Sequence, residues 1–252
     1  MGSYVGYSTL LLAHALRQAG GGGRVVSCEV DAARAQVARQ LLAWAGMDAV
    51  AQVRVGQAAD WLATGQLGHF DVLVLDHRGA RYHTDLRAAE SSAAPGARVF
   101  ADNVLHPGAP LFLSSVVGVH ATVIHEVEEF VHRPPLDDWV AVSTLCSRPE
   151  SCARRPHPQL RWWASEADLL CRQSQHGPVD WPSFQSYLRR TVMRSAAARR
   201  PEAETQSPLA PPRPERSAGA DCPAHCCIRT PHRRECLLEC KDSSPRKFQT
   251  SP

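Results

Sequence analysis

Lysine is almost missing from this chain. Of 252 residues only Lys241 and Lys247 carry an ammonium side chain, and both stand near the C-terminus. The remaining basic residues are arginines, which stay protonated at any working pH and cannot act as a base. Cysteine is equally scarce where the sequence is patterned: Cys28 stands alone in the first 145 residues, and the other eight follow Leu145. That distribution excludes a disulfide-stapled secreted domain. No apolar run approaches the ~20 residues that span a bilayer. Met1-Gly2-Ser3-Tyr4 lacks the basic leader of a signal peptide, and His14 interrupts the run Leu10–Leu16. The net charge of +3 makes no case for nucleic acid as a partner. With 44% hydrophobic and 21% charged residues, the expectation is a cytoplasmic globular monomer.

What is present divides into three stretches, 1–145, 146–200 and 201–252. The first alternates helix and strand patterns. Ser8 is placed to cap a helix through Leu11, Leu12, Ala15 and Leu16, stopped by the glycines at 20–23. Arg24–Val30 reads as a strand. Asp31 then caps a helix with Val37, Leu41 and Trp44 on its packed face, ended by Gly46. Further strands are expected at Val53–Val55, Phe70–Asp76, Ala97–Ala101, Ala121–Val131 and Trp139–Leu145, with helices at Asp60–Leu67, Leu86–Ala94 and Leu111–Val117. The run Phe70–Asp76 suits a strand covered on both faces. Such alternation predicts an open α/β sheet with ligands at the carboxyl ends of its strands. The stretch 146–200 reads as irregular, with one helix over Trp181–Arg200 that Asp180 and Pro182 start and that packs Phe184, Leu188 and Val192 on one face; Trp162-Trp163 reads as exposed. From Pro201 onward, proline, arginine and serine leave too few apolar groups to offset the entropy of ordering.

Three acidic residues, Glu29, Asp76 and Asp102, fall at predicted strand ends. Asp76, Asp102 and Asn103 together would make a hard, all-oxygen site suited to Mg²⁺. The Gly-rich turn Met1–Ser8 and Glu29 read as a nucleotide-like cofactor pocket beside it. The plainer alternatives are that Asp76 and Asp102 cap turns and that Glu29 merely starts a helix. His14, His69 and His120 belong to no motif and read as surface or helix-end residues. In the tail, Cys222, His225, Cys226, Cys227, His232, Cys236 and Cys240 have only a faint zinc-like spacing, and no finger pattern surrounds them.

Taken in order, Gly2-Ser-Tyr-Val-Gly-Tyr-Ser8, Cys28-Glu-Val-Asp31, Leu75-Asp-His77, Ala101-Asp-Asn-Val104 and Pro107-Gly-Ala-Pro110 resemble the catechol O-methyltransferase family over residues 2–145. The resemblance implies a Rossmann-like class I methyltransferase sheet with helices on both faces, S-adenosylmethionine as methyl donor, Mg²⁺, and a catechol-type small molecule as acceptor. It implies that Gly2, Tyr4 and Ser8 form the donor-binding turn and that Glu29 takes the ribose hydroxyls. Val30 and His77 would pack the adenine, Asp76, Asp102 and Asn103 would hold the metal, and Pro107 would flank the acceptor. Asp76 and Asn103 are then the catalytic pair, and Glu129 is the candidate to receive the second catechol hydroxyl.

The sequence also departs from that family. It begins at the glycine turn, so the family's N-terminal helices and most of its first strand are missing, which would leave two inner strands without a partner. The family's lysine base aligns with Gly79, leaving His77, His83 or the metal to deprotonate the acceptor. Arg78 replaces an aromatic residue, and Ala58-Ala59 replaces a Ser-Gln pair. A non-catalytic methyltransferase-like binding or trafficking partner, or an inactive fragment of the enzyme, is the alternative these departures raise.

Overall fold

In a computed structural model, the structure describes residues 1–20, 22–129, 136–146, 158–197, 227–230 and 233–236. In chain order these form α1 (Tyr7–Gln18), β1 (Val25–Glu29), α2 (Ala32–Trp44), β2 (Ala51–Val55), α3 (Ala58–Ala63) and β3 (Phe70–Leu75). There follow α4 (Tyr82–Ala89), β4 (Ala93–Ala101), α5 (Pro110–Val116), β5 (Ala121–Glu129), β6 (Leu136–Thr144), α6 (Pro158–Gln173) and α7 (Trp181–Ala197). The short strands β7 (Cys227–Thr230) and β8 (Arg233–Cys236) come last. The architecture is mixed α/β and Rossmann-like. β1 and β2 pair in parallel, β3 and β4 pair in parallel, and β6 runs antiparallel between β4 and β5.

Between β1 and β3 there is no strand-to-strand ladder; residues 1–3 bridge them instead. The Met1 ammonium donates to the Val74 carbonyl at 2.6 Å, the Asp76 amide donates back to the Met1 carbonyl at 3.1 Å, and the Gly2 and Ser3 amides both donate to the Cys28 carbonyl. Burial pulls the Met1 ammonium below its usual pKa. These contacts join β1 to β3 at their carboxyl ends, which is where the candidate site lies.

Two cores result. A small one joins α1 and α2 to β1 and β2 through Ala13, Ala35, Ala38, Leu42, Met47 and Val53. The larger one lies between the β3-β4-β6-β5 sheet and α4, α5, α6 and α7, around Leu75, Tyr82, Val99, Phe112, Trp139 and Leu188.

Several expectations need correcting. Ser8 does not cap α1: the N-cap is Gly6, in the left-handed region with φ 95°, and Ser8 lies inside the first turn. In α2 the packed stripe is Ala35, Ala38 and Leu42, leaving Val37 and Trp44 outside, with Trp44 87% exposed. The small alanines let the helix sit close to its sheet, a geometry that turns the larger side chains outward. Phe70–Asp76 is covered on both faces only in its second half, because Asp71 and Val72 are exposed. His120 is buried, not superficial; its Nδ1 accepts the Cys146 amide and burial lowers its pKa. Trp163 is buried against Phe184 and Tyr187, while Trp162 stays exposed. The reason is a second helix in the stretch read as irregular: α6 packs Leu160, Trp163, Ala164 and Ala167, a helical spacing. α7 matches its reading closely, with Phe184, Leu188 and Val192 buried and the Asp180 carboxylate accepting the Ser183 amide. Of the tail cluster, Cys222, His225, Cys226, His232 and Cys240 lie outside the described residues, and Cys227 and Cys236 face each other in the β7–β8 register.

Candidate functional site

The carboxyl ends of β1 and β3 open onto a cavity of about 1040 Å³, lined among others by Gly2, Tyr4, Ser8, Glu29, Val30, Asp76 and His77. All seven residues assigned to the cofactor therefore share one wall system. The turn at its base is fixed by contacts that only glycine permits. Gly2 has φ 86°, and a Cβ there would lie 2.0 Å from the Asp76 carbonyl oxygen. Glu29, only 6% exposed, locks the turn to the next loop: its Oε2 accepts the Tyr4 amide at 2.8 Å and its Oε1 the Asp31 amide at 3.1 Å. Each oxygen keeps a second lone pair for a ligand. Asp31 caps α2 by accepting from the Ala33 and Arg34 amides, and Arg34 lies over the Tyr4 ring, 5.0 Å from its centroid. Val30, 68% exposed, offers the cavity an apolar face.

On the far wall, His77 Nε2 lies 2.7 Å from Asp85 Oδ2, and the ring stands 4.9 Å from that of Tyr82. Tyr82 is buried among carboxylates, which pushes its phenol far above the usual range. His83 is outside the cavity lining, and burial lowers its pKa. Asp85, Arg34, Gln57, Asp60 and Arg81 also line the cavity without standing out in the sequence, and Arg78, which stands where the resembled family has an aromatic residue, lines it too. Among these Asp85 is the one with a usable signal, an acid just ahead of the expected helix Leu86–Ala94, which the structure places in the first turn of α4.

Asp76 and Asp102 stand side by side because Leu75 and Ala101 are register partners and the Asp102 amide donates to the Leu75 carbonyl at 3.0 Å. Burial first, and the Asp102 charge second, raise the Asp76 carboxyl above its ordinary value. Asn103 follows in the left-handed region with φ 55°, its amide donating to Asp102 Oδ1 at 2.9 Å. Among the described residues no group of three or more His, Cys, Asp or Glu is arranged for a metal. The set here is two carboxylates and a side-chain amide. Two adjacent carboxylates of like charge fit a divalent cation, whose charge would relieve their repulsion.

Pro107 sits in the wide turn 104–108 after Asn103, and Glu129 ends β5 opposite Leu136; neither lines the cavity. Gly79 explains the absent lysine in steric terms. A Cβ there would lie 2.5 Å from the Gly108 carbonyl oxygen, so the loop after Asp76 rests on the 104–108 turn with no room for a side chain. Asp138, on β6, went unnoticed in the sequence although it is 1% exposed and accepts four hydrogen bonds: from Asn103 Nδ2 and from the Leu105, His106 and Trp139 amides. The expected strand Trp139–Leu145 starts one residue too late; β6 begins at Leu136 and so takes in Asp138, a residue of poor β propensity.

Comparison with known proteins bears on this geometry. Residues 1–104 match the family described as a methyltransferase domain. A transmembrane O-methyltransferase of Homo sapiens is 42% identical over 120 residues, covering 45% of this chain and 40% of that protein. Catechol O-methyltransferase B of Danio rerio is 34% identical over 122 residues, covering 46% and 45% respectively. The chain thus spans less than half the length of these curated relatives. The O-methyltransferase from Bacillus cereus, solved in complex with SAH, superimposes with a TM-score of 0.48 at 23% identity, over 57% of this chain and 71% of that one. Among the described residues no helix is long and apolar enough to cross a membrane. Residues 1–104 are thus similar to a methyltransferase domain, and the sequence relatives that match this chain bear the names of O-methyltransferases.

Proposed function

We propose that this chain is an S-adenosylmethionine- and Mg²⁺-dependent O-methyltransferase acting on a catechol-type small molecule. The observation that carries the reading is the convergence of the Gly2–Tyr4 turn, Glu29 and His77 on one cavity that adjoins the Asp76–Asp102 strand ends. The relatives' names, together with the family match, support the same chemistry.

In this reading the Gly2 turn lets backbone approach the donor's amino-acid end, and Glu29 takes the two ribose hydroxyls with its remaining lone pairs. Val30 and His77 bound the adenine, the imidazole being held by Asp85. Asp76, Asp102 and Asn103 would hold Mg²⁺, which would supply positive charge that lowers the pKa of an acceptor hydroxyl. In the overall transfer the acceptor hydroxyl gives its proton to solvent water, its oxygen forms a bond to the methyl carbon, and the carbon–sulfur bond breaks to leave a neutral thioether. Positioning and charge complementarity lower the barrier to that in-line displacement. With Gly79 at the family's lysine position, the protein relies on that acidification. Pro107 and Glu129 are assigned to the acceptor side. A cytoplasmic monomer remains the working assignment.

The test is transfer of labelled methyl from S-adenosylmethionine to catechol by the purified chain, with Mg²⁺ and with EDTA. Mono-methylated catechol formed only with Mg²⁺ is expected. Absence of product in both arms, from a folded protein, would refute the reading.

A further inference from the structure

Asp138 is far more deeply buried and more fully hydrogen-bonded than a carboxylate serving only to start a strand. Its two oxygens divide the work. Oδ1 accepts three backbone amides, from Leu105 at 3.2 Å, His106 at 2.8 Å and Trp139 at 2.6 Å, which pins the 104–108 turn to β6. Oδ2 accepts the side-chain amide of Asn103 at 2.7 Å. An ionised carboxylate can only accept, so the NH₂ end of the Asn103 amide must face Asp138 and the carbonyl oxygen must point away. A cation can use only that oxygen. The two ends of the amide have nearly the same shape, so it is the hydrogen-bond partner that settles the choice. The Asp138 carboxylate settles it.

The geometry points to Asp138 as the positioning residue that turns the Asn103 carbonyl oxygen outward as a metal ligand. This rests on the Mg²⁺ reading given above. Partners beyond the ligands commonly set ligand orientation, and losing one weakens metal affinity by roughly 10- to 100-fold.

Asp138→Asn is the discriminating variant. Its retained oxygen can keep the three backbone amides, while its new NH₂ group confronts that of Asn103. The Asn103 amide must then reverse and present hydrogens to the cation. Binding of Mn²⁺, read from the electron paramagnetic resonance of the free ion, is expected to weaken about tenfold or more, with S-adenosylmethionine affinity unchanged. In an Asn103→Ala background the same substitution should change Mn²⁺ binding by less than about twofold, because nothing remains to orient. A loss of equal size in both backgrounds would assign Asp138 to the turn alone and overturn the inference. Unchanged Mn²⁺ binding by Asp138→Asn, with the wild-type protein binding normally, would also overturn it. No Mn²⁺ binding by the wild-type protein would refute the metal reading itself, and the inference with it. Should Asp138→Asn not fold, the Asn103 side-chain amide in a ¹⁵N–¹H spectrum of the wild-type protein decides the matter. A slowly exchanging pair that shifts on adding Mg²⁺ is expected, and a rapidly exchanging pair indifferent to Mg²⁺ would overturn the proposal.

Discussion

Putting a side chain back at Gly79 is predicted to damage the protein, even though a lysine there would restore the family's base. A Cβ at this position would stand 2.5 Å from the Gly108 carbonyl oxygen, 3.1 Å from its carbon and 3.3 Å from Ala109 Cβ. The first of these is roughly 1 Å inside the ~3.5 Å at which attraction is greatest. The obstructing atoms are backbone, and they have no room to retreat. Gly108 adopts φ 112° and lies tight against α7, with Leu188 Cδ2 only 2.9 Å from where its own Cβ would be. Its amide bonds to the Asn103 carbonyl and that of Ala109 to the Val104 carbonyl, while Asp138 holds the turn from below. Relief must come from lifting the loop after Asp76, which also carries His77. Overpacking of this kind costs about 1–3 kcal/mol, and the upper half of that range applies where backbone meets backbone. For a domain of this size, ~2–3 kcal/mol lowers Tm by about 4–12 °C. Urea unfolding of Gly79→Ala followed by circular dichroism, with the m-value checked for constancy, measures it. A Gly79→Ala midpoint equal to that of the wild-type protein would refute the steric argument. So would a Gly79→Lys variant that gains methyl transfer without losing stability.

Three further outcomes follow from the same contacts. Glu29→Gln keeps shape but loses charge and one of two acceptors; a hydrogen bond to a charged group contributes about 1.5–3 kcal/mol, so calorimetry should show S-adenosylmethionine affinity falling roughly 10- to 100-fold, and unchanged affinity would remove Glu29 from the site. Burial pushes the Asp138 carboxyl up to about 6, above its unfolded value, so its contribution favours folding below the unfolded pKa of 3.8 and is lost as pH rises through about 6. The stability difference between wild type and Asp138→Asn, from urea midpoints at pH 4.5 and 7.5, should therefore shift against the wild type at the higher pH by about 2 kcal/mol, and a pH-independent difference would contradict this. Arg78 donates to both carboxylate oxygens of Asp168 on α6, but its side chain is 59% exposed, so a double-mutant cycle should give a coupling of only about 0.5–1 kcal/mol that fades in high salt; a coupling several times larger would show α6 to be a principal brace of the cavity.

Much of this site was legible because it sits at strand ends. Strands declare themselves by apolar runs, and the residue that follows the run is the one delivered to the ligand; Glu29, Asp76 and Asp102 were found in that way. Asp31 as the cap of α2 and the packed face of α7 were equally visible, since capping and helical spacing are local. The failures were not local. Which face of α2 packs depends on how closely its alanines let β1 and β2 approach, and the sequence shows only that Trp44 is large. The helix α6 was hidden because its stripe mixes Leu160 and Trp163 with two alanines. Gly79 was read as a missing base, when its neighbourhood shows a position that no side chain can occupy. Asp138 and Asp85 escaped because their importance comes from partners 35 and 8 residues away, and long-range hydrogen bonds leave no periodic trace.

The account stands most directly on whether the cavity at the ends of β1 and β3 takes the methyl donor. Titration of the purified chain with S-adenosylmethionine in a calorimeter, at donor concentrations up to millimolar, is the measurement. The account predicts a saturable one-to-one isotherm that Gly2→Val abolishes. A wild-type protein that is folded yet gives no heat of binding across that range would contradict it.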